Sequence, residues 1–213
     1  NASVTNSGDI TATASGYSYY EVSATGVSAA SYWYDASVTN SGSITATVDG
    51  YGSFYSTATG VDVYSYGGNA TVENTDTGSI IATSTYGVAL GVNAYLYNGS
   101  AAVTNAGSIS ATSTYSNALG VYALSKYGDV GIVNSGDITA TSTYGSAVGV
   151  TGYTTKYSYG GAGVSIENSG NITATAYESA VGAQAFSKYA DAVVRAAEQC
   201  TVKKHFEHPP VIR

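Results

Sequence analysis

The sequence predicts an all-β fold, a right-handed parallel β-helix (solenoid) of about six coils with three short strands each. Three observations predict it. A ten-residue phrase, cleanest at Ile132-Val133-Asn134-Ser135-Gly136-Asp137-Ile138-Thr139-Ala140-Thr141, recurs from Val4, Val38, Val72, Val103 and Ile166. A second, looser phrase, Ala-x-Gly-Val-x-Ala, follows each copy, starting at Ala24, Ala58, Ala89, Ala118, Ala147 and Ala180. The composition suits strands and starves surface helices: 26 Gly, 21 Tyr, 2 Pro, no Met and 10% charged residues in 213, where about 25% charged is usual.

Aligned on Gly8, Gly42, Gly78, Gly107, Gly136 and Gly170, the repeats step by 34, 36, 29, 29 and 34 residues. Self-similarity at such periods marks a solenoid. Within each repeat the first strand is Ile-Thr-Ala-Thr, with Ile and Ala on one face and both Thr on the other. The second is the Ala-x-Gly-Val-x-Ala phrase, which reads as alternating with period two. The third is Ala-x-Val-x-Asn, as at 36–40, leading into an Asn-Ser-Gly turn. Small residues dominate the inward positions, so a narrow core is expected. Length varies between the phrases, at 14–23, 48–57 and 152–163, where loops are expected to bulge outward.

Stacking converts each motif position into a ladder. Asn6, Asn40, Asn74, Asn105, Asn134 and Asn168 are expected to superpose and to bond along the axis, as stacked Asn residues do. The glycine after them is expected to supply a positive φ. Tyr86, Tyr115, Tyr144 and Tyr177 are expected to form one aromatic stack. Tyr34, Tyr66, Tyr97, Tyr127, Tyr159 and Tyr189 are expected to form a looser one, covering and stiffening corners.

The formal charge is −7 and the isoelectric point near 4.5. The repeats hold only Lys126, Lys156 and Lys188 as bases, so the basic footprint of nucleic-acid binding is missing. No apolar run approaches the roughly 18 residues of a membrane-crossing helix. The lone Cys200 excludes an internal disulfide. With no initiator Met, the chain reads as a processed product or an excised piece.

The repeat domain is expected over 1–190. From 191 to 213 the pattern breaks, and this stretch reads as a C-terminal cap or a non-native tail. Ala192-Val193-Val194 is a potential seventh third strand in which Arg195 stands for the expected Asn.

The tandem V-x-N-S-G-x-I-x-A and A-x-G-V-x-A phrases, with Tyr-Gly-Asp corners as at Tyr127-Gly128-Asp129, resemble passenger domains of Gram-negative bacterial type V autotransporters, above all the haemagglutinin-like, Tyr-rich ones. The resemblance covers about 1–190. It implies a right-handed β-helix that is secreted or displayed on the outer cell surface and serves adhesion, self-association or biofilm formation. The signal peptide and C-terminal barrel of that family are not in this sequence.

Catalysis finds little support in the residues. Asp49, Asp62, Glu73 and Asp76 are the nearest carboxylates for hydrolytic or lyase chemistry, but no Arg precedes Arg195 and no His precedes His205 to assist them. Cys200, His205 and His208 offer at most three ligands of a zinc site that usually wants four. The sequence therefore predicts no enzyme, no cofactor and no metal.

Two surfaces remain. An outward Thr grid comprises Thr11, Thr45, Thr139 and Thr173, with Ile81 and Ser110 as departures, beside Thr13, Thr47, Thr83, Thr112, Thr141 and Thr175. Its T-x-T pattern is similar to the ice-binding face of β-solenoid antifreeze proteins, although exposed strand Thr has a simpler explanation in β propensity. An aromatic crowd comprises Tyr17, Tyr19, Tyr20, Tyr32, Trp33, Tyr34, Phe54 and Tyr55. Of these, Tyr32, Trp33, Tyr34, Phe54 and Tyr55 form the candidate glycan or partner patch. The expected partners are host or bacterial surface glycans or proteins, and further copies of the chain meeting at the solenoid ends.

Overall fold

The computed structural model describes residues 1–18, 20–51, 56–155, 163–196 and 200–204. The first coil is β1 (Ala2–Asn6), β2 (Asp9–Tyr17) and β3 (Ser23–Ser31), and the second is β4 (Ala36–Asn40), β5 (Ser43–Tyr51) and β6 (Thr57–Ser65). The third is β7 (Ala70–Asn74), β8 (Ser79–Ser84) and β9 (Val88–Leu96), and the fourth is β10 (Ala101–Asn105), β11 (Ser108–Ser113) and β12 (Ala118–Ser125). The fifth is β13 (Val130–Asn134), β14 (Asp137–Ser142) and β15 (Ala147–Thr154), and the sixth is β16 (Val164–Asn168), β17 (Asn171–Ala176) and β18 (Ala180–Ser187). Two more strands, β19 (Ala192–Ala196) and β20 (Cys200–Lys204), follow.

Every strand pairs in parallel with its equivalent one coil away. Sheet 1 runs β1-β4-β7-β10-β13-β16-β19, sheet 2 runs β2-β5-β8-β11-β14-β17-β20, and sheet 3 runs from β3 through β6, β9, β12 and β15 to β18. The described residues therefore form an all-β solenoid, a parallel β-helix of about six turns. Motif letters match across the register: Val103 pairs with Val72 and Ile132, and Ala111 with Ala82 and Ala140.

The interior is built from small and β-branched side chains. Ile44, Ile80, Ile109, Ile138 and Ile172 of sheet 2 pack with Val38, Val72 and Ile132 of sheet 1 and Val61, Val92 and Val121 of sheet 3. A second cluster joins Ala46's neighbours in sheet 2, such as Ala82, Ala111 and Ala140, to Ala58, Ala89, Ala118 and Ala147 of sheet 3. The two clusters exist because the sheet 3 phrase does not keep one alternation. In β12, Ala118, Gly120, Val121, Ala123 and Ser125 are all buried, so the phase slips at Gly120-Val121. The register reflects this, skipping Gly120 between Leu119 and Val121. A methyl group there would meet the Gly149 carbonyl oxygen at 2.5 Å and the Ile138 Cγ2 methyl at 2.5 Å. Glycine lets sheet 3 approach sheet 2 closely before the strand bends away.

The Asn corner of every coil from the first to the sixth, and several of the other corners, are closed by a buried polar side chain. Between sheets 1 and 2 the Asn amides form an unbroken chain: the Nδ2 groups of Asn6, Asn40, Asn74, Asn105 and Asn134 each donate to the next Oδ1 at 2.7–2.8 Å. Each Nδ2 also donates to its own turn, as Asn134 does to the Gly136 carbonyl at 2.9 Å. Both amide protons are thus used, and the buried side chain carries no desolvation debt. Between sheets 2 and 3, Ser142 Oγ donates to the Ser116 carbonyl at 2.6 Å and accepts from Gly145 N–H at 2.8 Å. Between sheets 3 and 1, Ser125 does the same with the Gly99 carbonyl and Gly128 N–H.

Four expectations change. The turn glycines are not there for a positive φ: among the described residues only Gly16 has one, at 124°. Gly136 is required because any Cβ would overlap the Gly107 carbonyl of the coil before it. The segments after 14 and 48 are ladder before they are loop, since β2 and β5 stay paired out to Tyr17 and Tyr51. The sheet 3 phrase has the phase slip described above. In β19 the Asn position is held by Ala196, paired with Asn168, whereas Arg195 faces outward and reaches Glu167 at 3.2 Å.

Two outcomes follow. Asn105→Ala removes an amide from mid-ladder and orphans its buried neighbours, so it should lower unfolding stability by about 3 kcal/mol in urea titration. Gly136→Ala should lower the melting temperature by several degrees or prevent folding, while Gly8→Ala, with nothing within 4 Å of the new methyl, should leave it unchanged.

Candidate functional site

The Thr grid is built by alternation in sheet 2, whose Ile and Ala side chains point inward. Its second row is unbroken, with Thr13, Thr47, Thr83, Thr112, Thr141 and Thr175 in consecutive register. Its first row runs Thr11, Thr45, Ile81, Ser110, Thr139, Thr173. Neighbours in a row lie about 4.8 Å apart, and the two rows about 7 Å apart. Thr11 and Thr13 are exposed, and the other grid Thr are half-buried by the neighbours on either side. Lys203 occupies the next position beyond Thr175.

The aromatic corner lies in the turn from β3 to β4. Tyr32 stacks on Tyr66 at 4.9 Å and Tyr66 on Tyr97 at 4.7 Å. Trp33 stands at right angles to Tyr32, 4.8 Å away, and to Tyr66, 6.2 Å away. Tyr34 N–H donates to Ser31 Oγ at 3.2 Å, and its carbonyl accepts from Ser65 Oγ at 2.9 Å. The next coil makes room for this turn with Gly67 and Gly68, where a methyl group would run into the backbone of Trp33 and Tyr34. Tyr32, Trp33 and Tyr34 are 59%, 67% and 66% exposed. Phe54 and Tyr55, with Tyr19, lie outside the described residues.

The two expected stacks are partly redrawn. Tyr86, Tyr115 and Tyr144 stack at 5.3 and 5.0 Å. No ring contact joins Tyr177 to them among the described residues. In the other stack Tyr32, not Tyr34, is the first member, because Tyr32 and Tyr66 both follow directly on the corner serines Ser31 and Ser65. Tyr127 meets Tyr97 edge-on at 5.1 Å, and Tyr159 lies outside the described residues. Lys126 closes this end, with Nζ 4.3 Å from the centre of the Tyr97 ring and 3.3 Å from its hydroxyl. The Tyr97 phenol is held below its ordinary range, first by the hydrogen bond from Tyr127 and then by Lys126. The same contact holds Tyr127 above its range, and the hydrogen bond to Tyr97 raises Lys126.

The carboxylates are not brought together. Asp49 lies at the end of β5 and accepts from Thr85 Oγ1 at 3.0 Å. Asp62 lies on the outer face of sheet 3 and accepts from Asn93 Nδ2 at 2.7 Å. Glu73 is on the outer face of sheet 1, and Asp76 is in the turn between β7 and β8. Among the described residues no three His, Cys, Asp or Glu side chains come together to hold a metal. The Cys200 side chain, His205 and His208 lie outside what the structure describes.

One surface escaped sequence reasoning, the outer face of sheet 3. Register places Leu90, Leu119, Val148 and Val181 in an aliphatic row. A bulkier row runs parallel to it: Tyr95, Leu124, Tyr153 and Phe186. Between them lies a middle row of Asn93, Tyr122, Thr151 and Gln184. Tyr153 and Phe186 stack at 4.9 Å. Partial burial raises the Tyr122 phenol above its ordinary range. The signal was present at the first variable position of the second phrase and at the position directly after the phrase, which from the third coil onward change letter but stay apolar.

Compared with family models, with curated proteins and with solved structures, the chain matches none. Among the described residues no helix is long and apolar enough to cross a membrane.

Replacing Tyr127 with Phe removes the strongest influence on Tyr97. In an ultraviolet titration the Tyr97 phenol should then move upward, back toward its ordinary range.

Proposed function

We propose that this chain is a structural and adhesive rod of the surface-displayed passenger kind, and that its aromatic corner holds a glycan. The single observation that carries the reading is the corner itself. Two ring systems at right angles, Tyr32 and Trp33, stand well exposed on a stack that continues through Tyr66 to Tyr97. Sugar rings present C–H faces that fit against exposed aromatic faces, and a clustered apolar patch on a monomer surface marks binding. A backbone-anchored turn keeps these rings in one place, which limits the entropy lost on binding. Adhesion and biofilm formation follow from many such rods held out from a surface.

A second reading rests on the uninterrupted Thr13–Thr175 row. A flat, uncharged, two-row hydroxyl and methyl lattice at fixed spacing supports ice binding. It requires no further ligand.

Glycan-array and cell-adhesion measurements on Trp33→Ala and Tyr34→Ala separate these readings from each other. The expected result is a loss of binding of about tenfold or more with unchanged circular dichroism; undiminished binding removes the corner from consideration. For the second reading, thermal hysteresis that disappears in Thr141→Tyr, with the fold intact, would make sheet 2 the working face.

A further inference from the structure

We infer that two copies of this chain associate side by side through the outer face of sheet 3, with their solenoid axes parallel. This is independent of the glycan reading, which concerns a different part of the surface.

Chemistry comes first. Over the four coils from β9 to β18 the twelve outward positions of sheet 3 carry no charge, in a chain whose net charge is −7. Nine of the twelve are aliphatic or aromatic. Two like-charged copies repel least where they meet on this face. The nearest charge in register is Asp62, already engaged by Asn93 at 2.7 Å. Tyr95 and Phe186 are 37% and 50% exposed, so apolar surface remains to be covered.

Shape then selects a second copy. A two-fold axis lying in the face, parallel to the solenoid, exchanges left and right. It sets the bulky row of Tyr95 to Phe186 over the lower aliphatic row of the partner, and the reverse. Large meets small on both sides, as a self-complementary isologous contact needs. The middle row falls on the axis, so Asn93, Tyr122, Thr151 and Gln184 each face their own counterpart. All four are neutral and three are short or able to pair by hydrogen bonds.

Size sets the strength. Four strands about 4.8 Å apart, spanning six residues of about 3.3 Å rise, project roughly 400 Å² per copy, and more in accessible area because the side chains stand up from the sheet. That is the small end of specific interfaces, where association is weak and reversible.

Sedimentation velocity from about 1 to about 100 µM tests this, the range in which a contact of this size should form. The wild-type chain should shift from monomer to dimer, and Leu119→Glu should remain monomeric with an unchanged circular dichroism spectrum. A sheet 2 control, Thr141→Lys, should dimerise like the wild type. A second measurement does not depend on those variants folding well. In a Cys200→Ser background, Asn93→Cys should form an intermolecular disulfide under mild oxidation, and Glu73→Cys on sheet 1 should not. A strictly monomeric wild type, a dimer unaffected by Leu119→Glu, or equal cross-linking at positions 73 and 93 would overturn the proposal.

Discussion

Everything in this molecule depends on one constraint: each residue must tolerate its own equivalent one coil away, about 4.8 Å distant. Asn passes at the corner because its amide both donates and accepts along the axis. Glycine passes at the turn because nothing larger fits under the carbonyl of the preceding coil. Charge passes poorly, since like charges directly opposite on neighbouring strands repel. The register shows how the chain copes. Asp62 lies between Ser28 and Asn93, Glu73 between Thr39 and Thr104, and Asp137 between Ser108 and Asn171. Glu167 has Val133 on one side and Arg195 on the other. Among the described residues no strand-paired residue faces a like charge. The unusually low charged fraction is therefore a consequence of stacking, not a separate property of the chain.

The fold was legible because identity at a fixed period is a direct image of a ladder. The three strand phrases, the Asn chain and the two Thr rows could all be read by aligning letters. What letters do not carry is the backbone. Gly136 looks alike whether it supplies a left-handed φ or clears a carbonyl, and only the stacked coil distinguishes the two. The Gly120-Val121 slip is invisible because Ala-x-Gly and Val-x-Ala each alternate correctly by themselves. Tyr34 was aligned by its distance to the next strand, whereas the corner is measured from Ser31, which makes Tyr32 the stacking partner of Tyr66. The apolar face of sheet 3 was missed for a related reason: it repeats in chemistry but not in letter.

The two Thr rows lie in the register that strand alternation alone fixes. Of the aromatic crowd, Tyr32 and Trp33 come together with Tyr66, in a turn positioned by contacts that no period announces, while Tyr19, Phe54 and Tyr55 lie outside the described residues. The result is a rod whose sides differ in kind. Sheet 2 shows hydroxyls and methyls, sheet 3 shows apolar rows, and sheet 1 shows small polar groups with its few charges. Because outward and core positions are distinct on every sheet, each side can change without disturbing the others.

The corner hydrogen bonds and the ladders all run along one direction, and this gives the rod a mechanical character. Pulled from its chain ends, such a molecule does not load its coils together. The terminal coil carries the force, peels away, and hands the load to the next. Each event frees one repeat of 29 to 36 residues, roughly 10–12 nm of extended chain. A tether built this way lengthens in steps under tension and dissipates energy at each one, so a surface held by it yields gradually before it lets go.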